Sequence, residues 1–149
     1  MSTAPVLGID LGTTNSVLAV AEGTRVSVLA DPEGNRLIPS VVSFYPQGDV
    51  LVGYAARERR LLDAKNTIYS TKRLLGRPWD SHEVRTAQGR FAFEMVEGPN
   101  KSVLVMARNE TYTLPEISAF VLREVRRVAE QALGVECSRA VITVPANFN

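Results

Sequence analysis

The stretch GIDLGTTNS, residues 8–16, decides how the start of this chain folds. It continues an apolar run that begins at Val6, and it leads into a second apolar run that begins at Val17. The pattern predicts two buried strands joined by a short turn. The turn consists of small and hydroxyl-bearing residues, which leave backbone N–H groups exposed, and concave arrays of N–H groups bind anions such as phosphate.

The residues around this turn carry further chemistry that suits a phosphate and a divalent cation. Thr13 and Thr14 offer hydroxyl groups, and Asp10 supplies a carboxylate where a Mg²⁺ ion would need one. Gly8 and Gly12 permit close approach of the backbone to a ligand. The sequence is not a P-loop, because the G-x-x-x-x-G-K-[ST] pattern is missing and the turn runs into a strand. A plain hairpin turn is the alternative, since Gly, Thr, Asn and Asp are ordinary turn residues.

The two ends of the chain together predict a mixed α/β sheet. Strands are expected at Val6–Leu11, Val17–Ala21 and Arg25–Leu29, joined as an antiparallel meander. A helix is expected at Pro115–Leu133, followed by a strand at Ala140–Val144. The strand–helix–strand order predicts that this last strand runs parallel to the first. Because it is apolar on both faces, it should lie at the centre of its sheet.

The predicted helix has a continuous apolar stripe that should pack on one face of the sheet. The stripe consists of Ile117, Val121, Val125, Val128 and Ala132. Gly134 should end the helix, because glycine adopts a positive φ readily.

The middle of the chain predicts a small α+β unit inserted between the two parts of the core. Val41–Phe44 and Val50–Val52 indicate a hairpin, and Val103–Met106 indicates a further strand. The stretch Tyr54–Leu75 is expected to hold two short helices divided near Asn66. We therefore expect a core of residues 1–38 and 113–149 with residues 39–112 as the inserted subdomain.

Composition argues against several classes of partner. The 149 residues have a formal net charge of +1, which gives no electrostatic reason to expect a nucleic acid or an anionic membrane. Cys137 is the only cysteine, so an internal disulfide is impossible. The N-terminus shows no signal-peptide pattern, and no apolar run is long enough for a membrane helix. A cytoplasmic protein is therefore expected.

Four stretches, taken together, resemble a known family. GIDLGTTNS resembles the first phosphate loop of the actin-like ATPases, which include sugar kinases, actin and the heat-shock-70 (DnaK-type) chaperones. RLIPSVVSF (36–44), NTIYSTKRLLGR (66–77) and VITVPANFN (141–149) are similar to stretches of the chaperone family alone, in the same order, and the second resembles its lysine-bearing helix. The resemblance implies an incomplete actin-like ATPase, or ribonuclease-H-like, lobe with an inserted small α+β subdomain.

The resemblance also implies roles for individual residues. It assigns phosphate binding to Gly12, Thr13, Thr14 and Asn15, Mg²⁺ binding through water to Asp10, catalysis to Lys72 and an interdomain switch to Pro145. Taken without the resemblance, Lys72 is an ordinary solvated lysine and Pro145 a simple stop after a strand. Asn147 stands where the family usually has tyrosine, which weakens the expectation that the Pro145 switch works normally in this chain. Leu37 and Ile38 stand where threonines are common, which suggests a divergent paralogue.

The implied function is that of an ATP-dependent folding chaperone, with ATP and Mg²⁺ as cofactors. Its partners would be unfolded client polypeptides, J-domain co-chaperones and nucleotide-exchange factors. Because the superfamily binds nucleotide between two lobes, the chain resembles an N-terminal fragment that covers only part of the first lobe. We expect no ATP turnover from this fragment alone. The alternatives are a non-catalytic interaction fragment and a sugar kinase, the second of which RLIPSVVSF and KRLLGR argue against.

Overall fold

The protein is described by a computed structural model that covers residues 5–144. In that part of the chain, strands and α-helices combine into the predicted mixed α/β fold. The strands are β1 (Val6–Leu11), β2 (Asn15–Glu22), β3 (Arg25–Val28), β4 (Leu37–Pro39), β5 (Val41–Phe44), β6 (Val50–Val52), β7 (Thr67–Tyr69), β8 (Glu94–Glu97), β9 (Val103–Ala107), β10 (Glu110–Thr113) and β11 (Arg139–Thr143). The α-helices are α1 (Tyr54–Glu58), α2 (His82–Gln88) and α3 (Leu114–Leu133).

The main sheet has five strands, and it confirms the predicted meander. Strands β1, β2 and β3 pair antiparallel in sequence order, and β11 lies parallel to β1 as predicted. β4 also pairs with β2 and places Pro39 opposite Asn15. Leu7, Ile9 and Leu11 point into the core while the residues between them are exposed, so β1 has the alternation of a half-buried strand.

Helix α3 forms as its apolar periodicity predicts. Ile117, Val121, Val125 and Val128 are buried, but Ala132 is exposed, so the buried stripe ends one turn earlier than expected. The helix contacts β2 of the main sheet, and it also contacts β5, β9 and β10. Its start has a capping box, in which the side chains of Thr113 and Glu116 each accept a hydrogen bond from the other residue's backbone N–H. It ends at Gly134, with a φ of 69°.

The middle of the chain contains two further sheets of three antiparallel strands each, ordered β6-β5-β7 and β10-β9-β8. The predicted hairpin of β5 and β6 is confirmed. The two short helices expected in 54–75 are confirmed only in part: α1 is α-helical, Ala64–Asn66 and Thr71–Arg73 are single 3-10 turns, and β7 lies between those two turns at Thr67–Tyr69. Thr67, Ile68 and Tyr69 favour an extended strand, and pairing with β5 buries Thr67 and Ile68 completely. The division into a core and an inserted subdomain stays a prediction.

The expected central position of the last strand is also wrong within the part of the chain that the structure describes. Strand β11 lies at the edge of the sheet, all five of its residues are exposed, and Val141 is 63% exposed. A continuous apolar run shows how much surface a strand could bury, but it does not show whether a second strand lies beside it. Pro145 and Asn147 lie outside the described residues. No helix between residues 5 and 144 is both long and apolar enough to cross a membrane.

Candidate functional site

The turn between β1 and β2 is the starting point of the candidate site. Leu11 and Ser16 are the last paired residues of the two strands, so residues 12–15 close the hairpin. A β-carbon on Gly12 would lie only 2.2 Å from the carbonyl oxygen of Asn15. Because that neighbour is backbone and cannot move aside cheaply, only glycine fits at this position. The turn is therefore tighter than an ordinary hairpin turn, which accepts residues other than glycine.

The hydrogen bonds of this turn are strongly asymmetric. Both of the carbonyl groups that flank Thr13 accept hydrogen bonds from Ser40: the Ser40 hydroxyl donates to Gly12 O at 2.9 Å, and the Ser40 N–H donates to Thr14 O at 2.9 Å. The N–H groups of Thr13 and Thr14 donate to no acceptor within residues 5–144. The turn therefore directs its acceptors into the protein and leaves donors for a ligand, which is the polarity of an anion-binding loop.

Asp10 lies next to this turn, near the carboxyl end of β1, and its side chain is exposed. The register places it beside Thr143 of β11, whose hydroxyl donates to Asp10 Oδ1 at 3.2 Å. This bond orients the carboxylate while leaving its other oxygen available. Sequence reasoning missed Thr143, since nothing in the sequence shows which β11 residue lies opposite Asp10.

Lys72 reaches the same region from the middle of the chain. It lies on a single turn of 3-10 helix, Thr71–Arg73, and not on the longer helix that the sequence resembled. Ser70 begins that turn with a φ of 57°, the left-handed conformation. This turn contacts α3, and a narrow crevice between them is lined by Gly12, Thr13, Ser40, Lys72 and Ser118, among others. The structure thus brings Lys72 against the loop although about sixty positions of sequence separate them.

The Lys72 ammonium is placed where its charge is costly. Its nitrogen is buried, and burial lowers the pKa of the Lys72 amine below its ordinary value, while the Asp10 carboxylate opposes that shift. A cation that is partly stripped of water interacts strongly with any anion that reaches it. A phosphate group at the mouth of the crevice would supply such an anion.

The structure brings together most of the residues that the sequence analysis selected. Gly12, Thr13 and Lys72 share the crevice, Asp10 interacts electrostatically with Lys72, and Thr14 is exposed at the tip of the turn. Ser40 was not selected, although it lies in the stretch RLIPSVVSF, because the sequence does not show that β4 pairs with β2. Pro145 lies outside the described residues.

The residues at the loop suit a Mg²⁺ ion that is bound mainly by water and phosphate and by a single protein carboxylate. No three His, Cys, Asp or Glu side chains lie close enough to hold a metal ion among residues 5–144. Asp10 is the carboxylate that lies next to the loop, near the end of β1. Mg²⁺ commonly keeps several waters and binds through one or two carboxylates plus substrate phosphates, so a single exposed carboxylate beside a phosphate loop fits it.

One comparison with known proteins bears on this site. The family model described as Hsp70 protein matches residues 6–149, which is all of the chain except its first five residues. The match therefore includes the loop, Ser40 and Lys72. It also accounts for the mixed α/β architecture as part of the actin-like ATPase fold of that family.

The close contact at Gly12 predicts a sharp difference between two glycines of the same hairpin. Gly12→Ala should lower the free energy of unfolding by about 1–3 kcal/mol, because the new methyl group collides with the Asn15 carbonyl. Gly8→Ala is the matched control, since its β-carbon would lie 3.9 Å from the nearest atom, the Ala19 carbonyl oxygen. Chemical denaturation of both variants measures the difference. Equal stability of the two would contradict the tight turn.

The buried ammonium predicts that Lys72 does not stabilise the fold. In the folded protein the Lys72 pKa lies below its ordinary value of 10.5, so between those two pH values the unfolded chain binds more protons. Folding stability contributed by Lys72 therefore rises with pH in that window and is lowest at neutral pH. We expect Lys72→Met to be at least as stable as the wild type at pH 7 and to lack this rise. Chemical denaturation at several pH values measures the stability at pH 7 and its rise with pH. Marked destabilisation of Lys72→Met at pH 7 would show that Lys72 stabilises the fold.

Proposed function

This chain belongs to the Hsp70 family of chaperones, and from that membership we propose that it supplies one wall of a site that binds the phosphates of ATP. The wall consists of the β1–β2 turn, the Lys72 ammonium and the Asp10 carboxylate. These groups come from two distant parts of the sequence: Gly12, Thr13 and Lys72 line one crevice, and Asp10 interacts electrostatically with Lys72.

The observation that carries this proposal is the direction of the groups in the turn. The carbonyls of Gly12 and Thr14 are occupied by Ser40, while the Thr13 and Thr14 N–H groups have no acceptor within the described residues. A turn that served only to reverse the chain would not need this separation of donors from acceptors. Phosphate oxygens are acceptors only, so they complement the donors that remain.

Lys72 is proposed to act on the terminal phosphate. A positively charged group in a crevice with little water stabilises negative charge that develops as a phosphoryl group is transferred. The Lys72 amine is already partly stripped of water, so little further desolvation is needed when a phosphate arrives. Lys72 would also hold the attacking water in position.

Asp10 is proposed to hold Mg²⁺ through water. Its carboxylate is exposed, is oriented by Thr143 and lies near enough to Lys72 to influence the pKa of that amine. When bound, Mg²⁺ would neutralise charge on the phosphates. Asp10 would retain the ion's water shell.

At the level of the whole protein, we propose an ATP-dependent cytoplasmic chaperone. Hydrolysis of ATP to ADP and phosphate would control the binding of unfolded polypeptides, with J-domain co-chaperones and nucleotide-exchange factors as partners. Pro145 would transmit the nucleotide state. The opposing wall of the nucleotide site and the peptide-binding region would come from outside residues 1–149.

The test places the Lys72→Met substitution in a complete ATPase domain, made by replacing the corresponding part of another Hsp70 protein with this chain. We expect single-turnover hydrolysis to fall by about 100-fold or more while ATP affinity changes little, because the ammonium acts mainly on charge that develops during the reaction. Arg73→Ala is the matched control, since Arg73 is the exposed neighbouring cation on the same turn. Hydrolysis is followed with labelled ATP and affinity by calorimetry.

Three outcomes are informative. Loss of hydrolysis in Lys72→Met but not in Arg73→Ala supports the proposal. Equal loss of hydrolysis and affinity in Lys72→Met would make the residue a binding or structural group. A wild-type chimera that folds but does not bind ATP would overturn the proposal and favour a non-catalytic interaction role.

A further inference from the structure

We propose that Ser40 is a positioning residue that holds the phosphate loop in its anion-binding conformation and links that conformation to the junction between two sheets. The inference rests on the proposed function, because it names the residue that sets the direction of the loop's donors. The ligand in question is a phosphate group such as those of a nucleotide.

Ser40 occupies a distinctive place in the chain. It is the single residue between β4, which pairs with β2 of the main sheet, and β5, which is the middle strand of the β6-β5-β7 sheet. Because Ser40 directly joins the two strands, a shift of β4 relative to β5 would move this residue. Any group that Ser40 holds will therefore respond to the relative position of the two sheets.

The group that Ser40 holds is the centre of the loop. Its hydroxyl donates to Gly12 O and its backbone N–H donates to Thr14 O, both at 2.9 Å. These two bonds bracket Thr13. They also span 26 or more positions of sequence, so they fix the loop from outside its own hairpin.

Because of the geometry of the peptide bond, the hydrogen bond from the Ser40 hydroxyl to Gly12 O also sets the direction of the Thr13 N–H. The Gly12 carbonyl and the Thr13 N–H belong to the same peptide plane, and in a trans peptide they point in opposite directions. There is no cis peptide in the described residues. When Ser40 draws the Gly12 oxygen inward, the Thr13 N–H is consequently directed outward to where a phosphate oxygen would bind.

A second hydroxyl fixes the direction of this bond. Ser16 Oγ lies 3.1 Å from Ser40 Oγ, and Ser16 is fully buried. Since the one hydroxyl proton of Ser40 is donated to Gly12 O, Ser16 must donate to Ser40. The relay Ser16 to Ser40 to Gly12 leaves the Ser40 hydroxyl satisfied as both donor and acceptor, so it has no reason to rotate away from the loop.

Without the Ser40 hydroxyl, the Gly12–Thr13 peptide would lose the bond that sets its orientation. Glycine imposes little resistance to rotation of the following peptide plane. A rotated plane would present the Gly12 carbonyl oxygen to an incoming phosphate, and two acceptors repel each other. Ser40 therefore affects phosphate binding although it need not touch the ligand.

The experiment compares three variants of the 149-residue chain with the wild type. Ser40→Ala removes the hydroxyl, Ser40→Thr retains it, and Ser43→Ala is the matched control. Ser43 is three positions along in β5, and its hydroxyl bonds Thr67 Oγ1 at 3.0 Å, away from the loop. Two readouts are used: the residual dipolar coupling of the Thr13 amide, which reports the direction of its N–H vector, and the affinity for inorganic pyrophosphate by calorimetry.

We expect Ser40→Ala to change the residual dipolar coupling of the Thr13 amide. We also expect it to weaken pyrophosphate binding by roughly tenfold, which is the order of effect of one lost hydrogen bond. Ser40→Thr and Ser43→Ala should match the wild type in both readouts. An unchanged Thr13 coupling in Ser40→Ala would overturn the inference, whatever the affinity. A wild type that fails to bind pyrophosphate would instead overturn the proposed function, and the coupling would still decide the role of Ser40.

Discussion

One peptide plane, the plane that joins Gly12 to Thr13, determines what the rest of the site can do. Its carbonyl is held inside the protein by Ser40, so its N–H faces outward. Residue 12 must be glycine for the turn to close, because a β-carbon there would collide with the Asn15 carbonyl. The strands on either side supply the frame, since β1 and β2 bring Leu11 opposite Ser16 and leave only four residues for the turn. The turn therefore presents backbone donors outward without any charged side chain of its own.

The charged groups of the site come from elsewhere and depend on packing. Asp10 is set beside Thr143 because β11 runs parallel to β1. Lys72 is brought to the crevice by a 3-10 turn that packs on α3, whose buried stripe contacts β2 of the main sheet and strands of the other two sheets. The same packing that stabilises the fold therefore buries the Lys72 amine and lowers its pKa. Part of the hydrophobic stabilisation offsets the free-energy cost of removing this charged amine from water.

The sequence predicted the elements whose pattern is local. The meander, the β5–β6 hairpin, helix α3 and the parallel pairing of β11 all follow from apolar periodicity, turn residues and chain order. It failed where distant partners decide the outcome. Residues 67–69 became a strand because β5 offered an edge to pair with, and β11 lies at an edge because no described strand covers it. The loop residues could be selected from their chemistry, but Ser40 and Thr143 could not, because their roles depend on which strands lie side by side.

Phosphate binding by the turn can be measured by titrating the ¹⁵N-labelled chain with pyrophosphate and following the chemical shifts of its backbone amides. If the turn binds phosphate, the Thr13 and Thr14 amides should shift first and most, with smaller changes at Lys72, because the donors of the turn contact the phosphate. The exposed arginines of α1 and α3, such as Arg57 and Arg126, provide the competing site for an anion that binds by charge alone. Shifts confined to those arginines, with Thr13 and Thr14 unmoved at saturation, would contradict the claim that the turn is a phosphate loop.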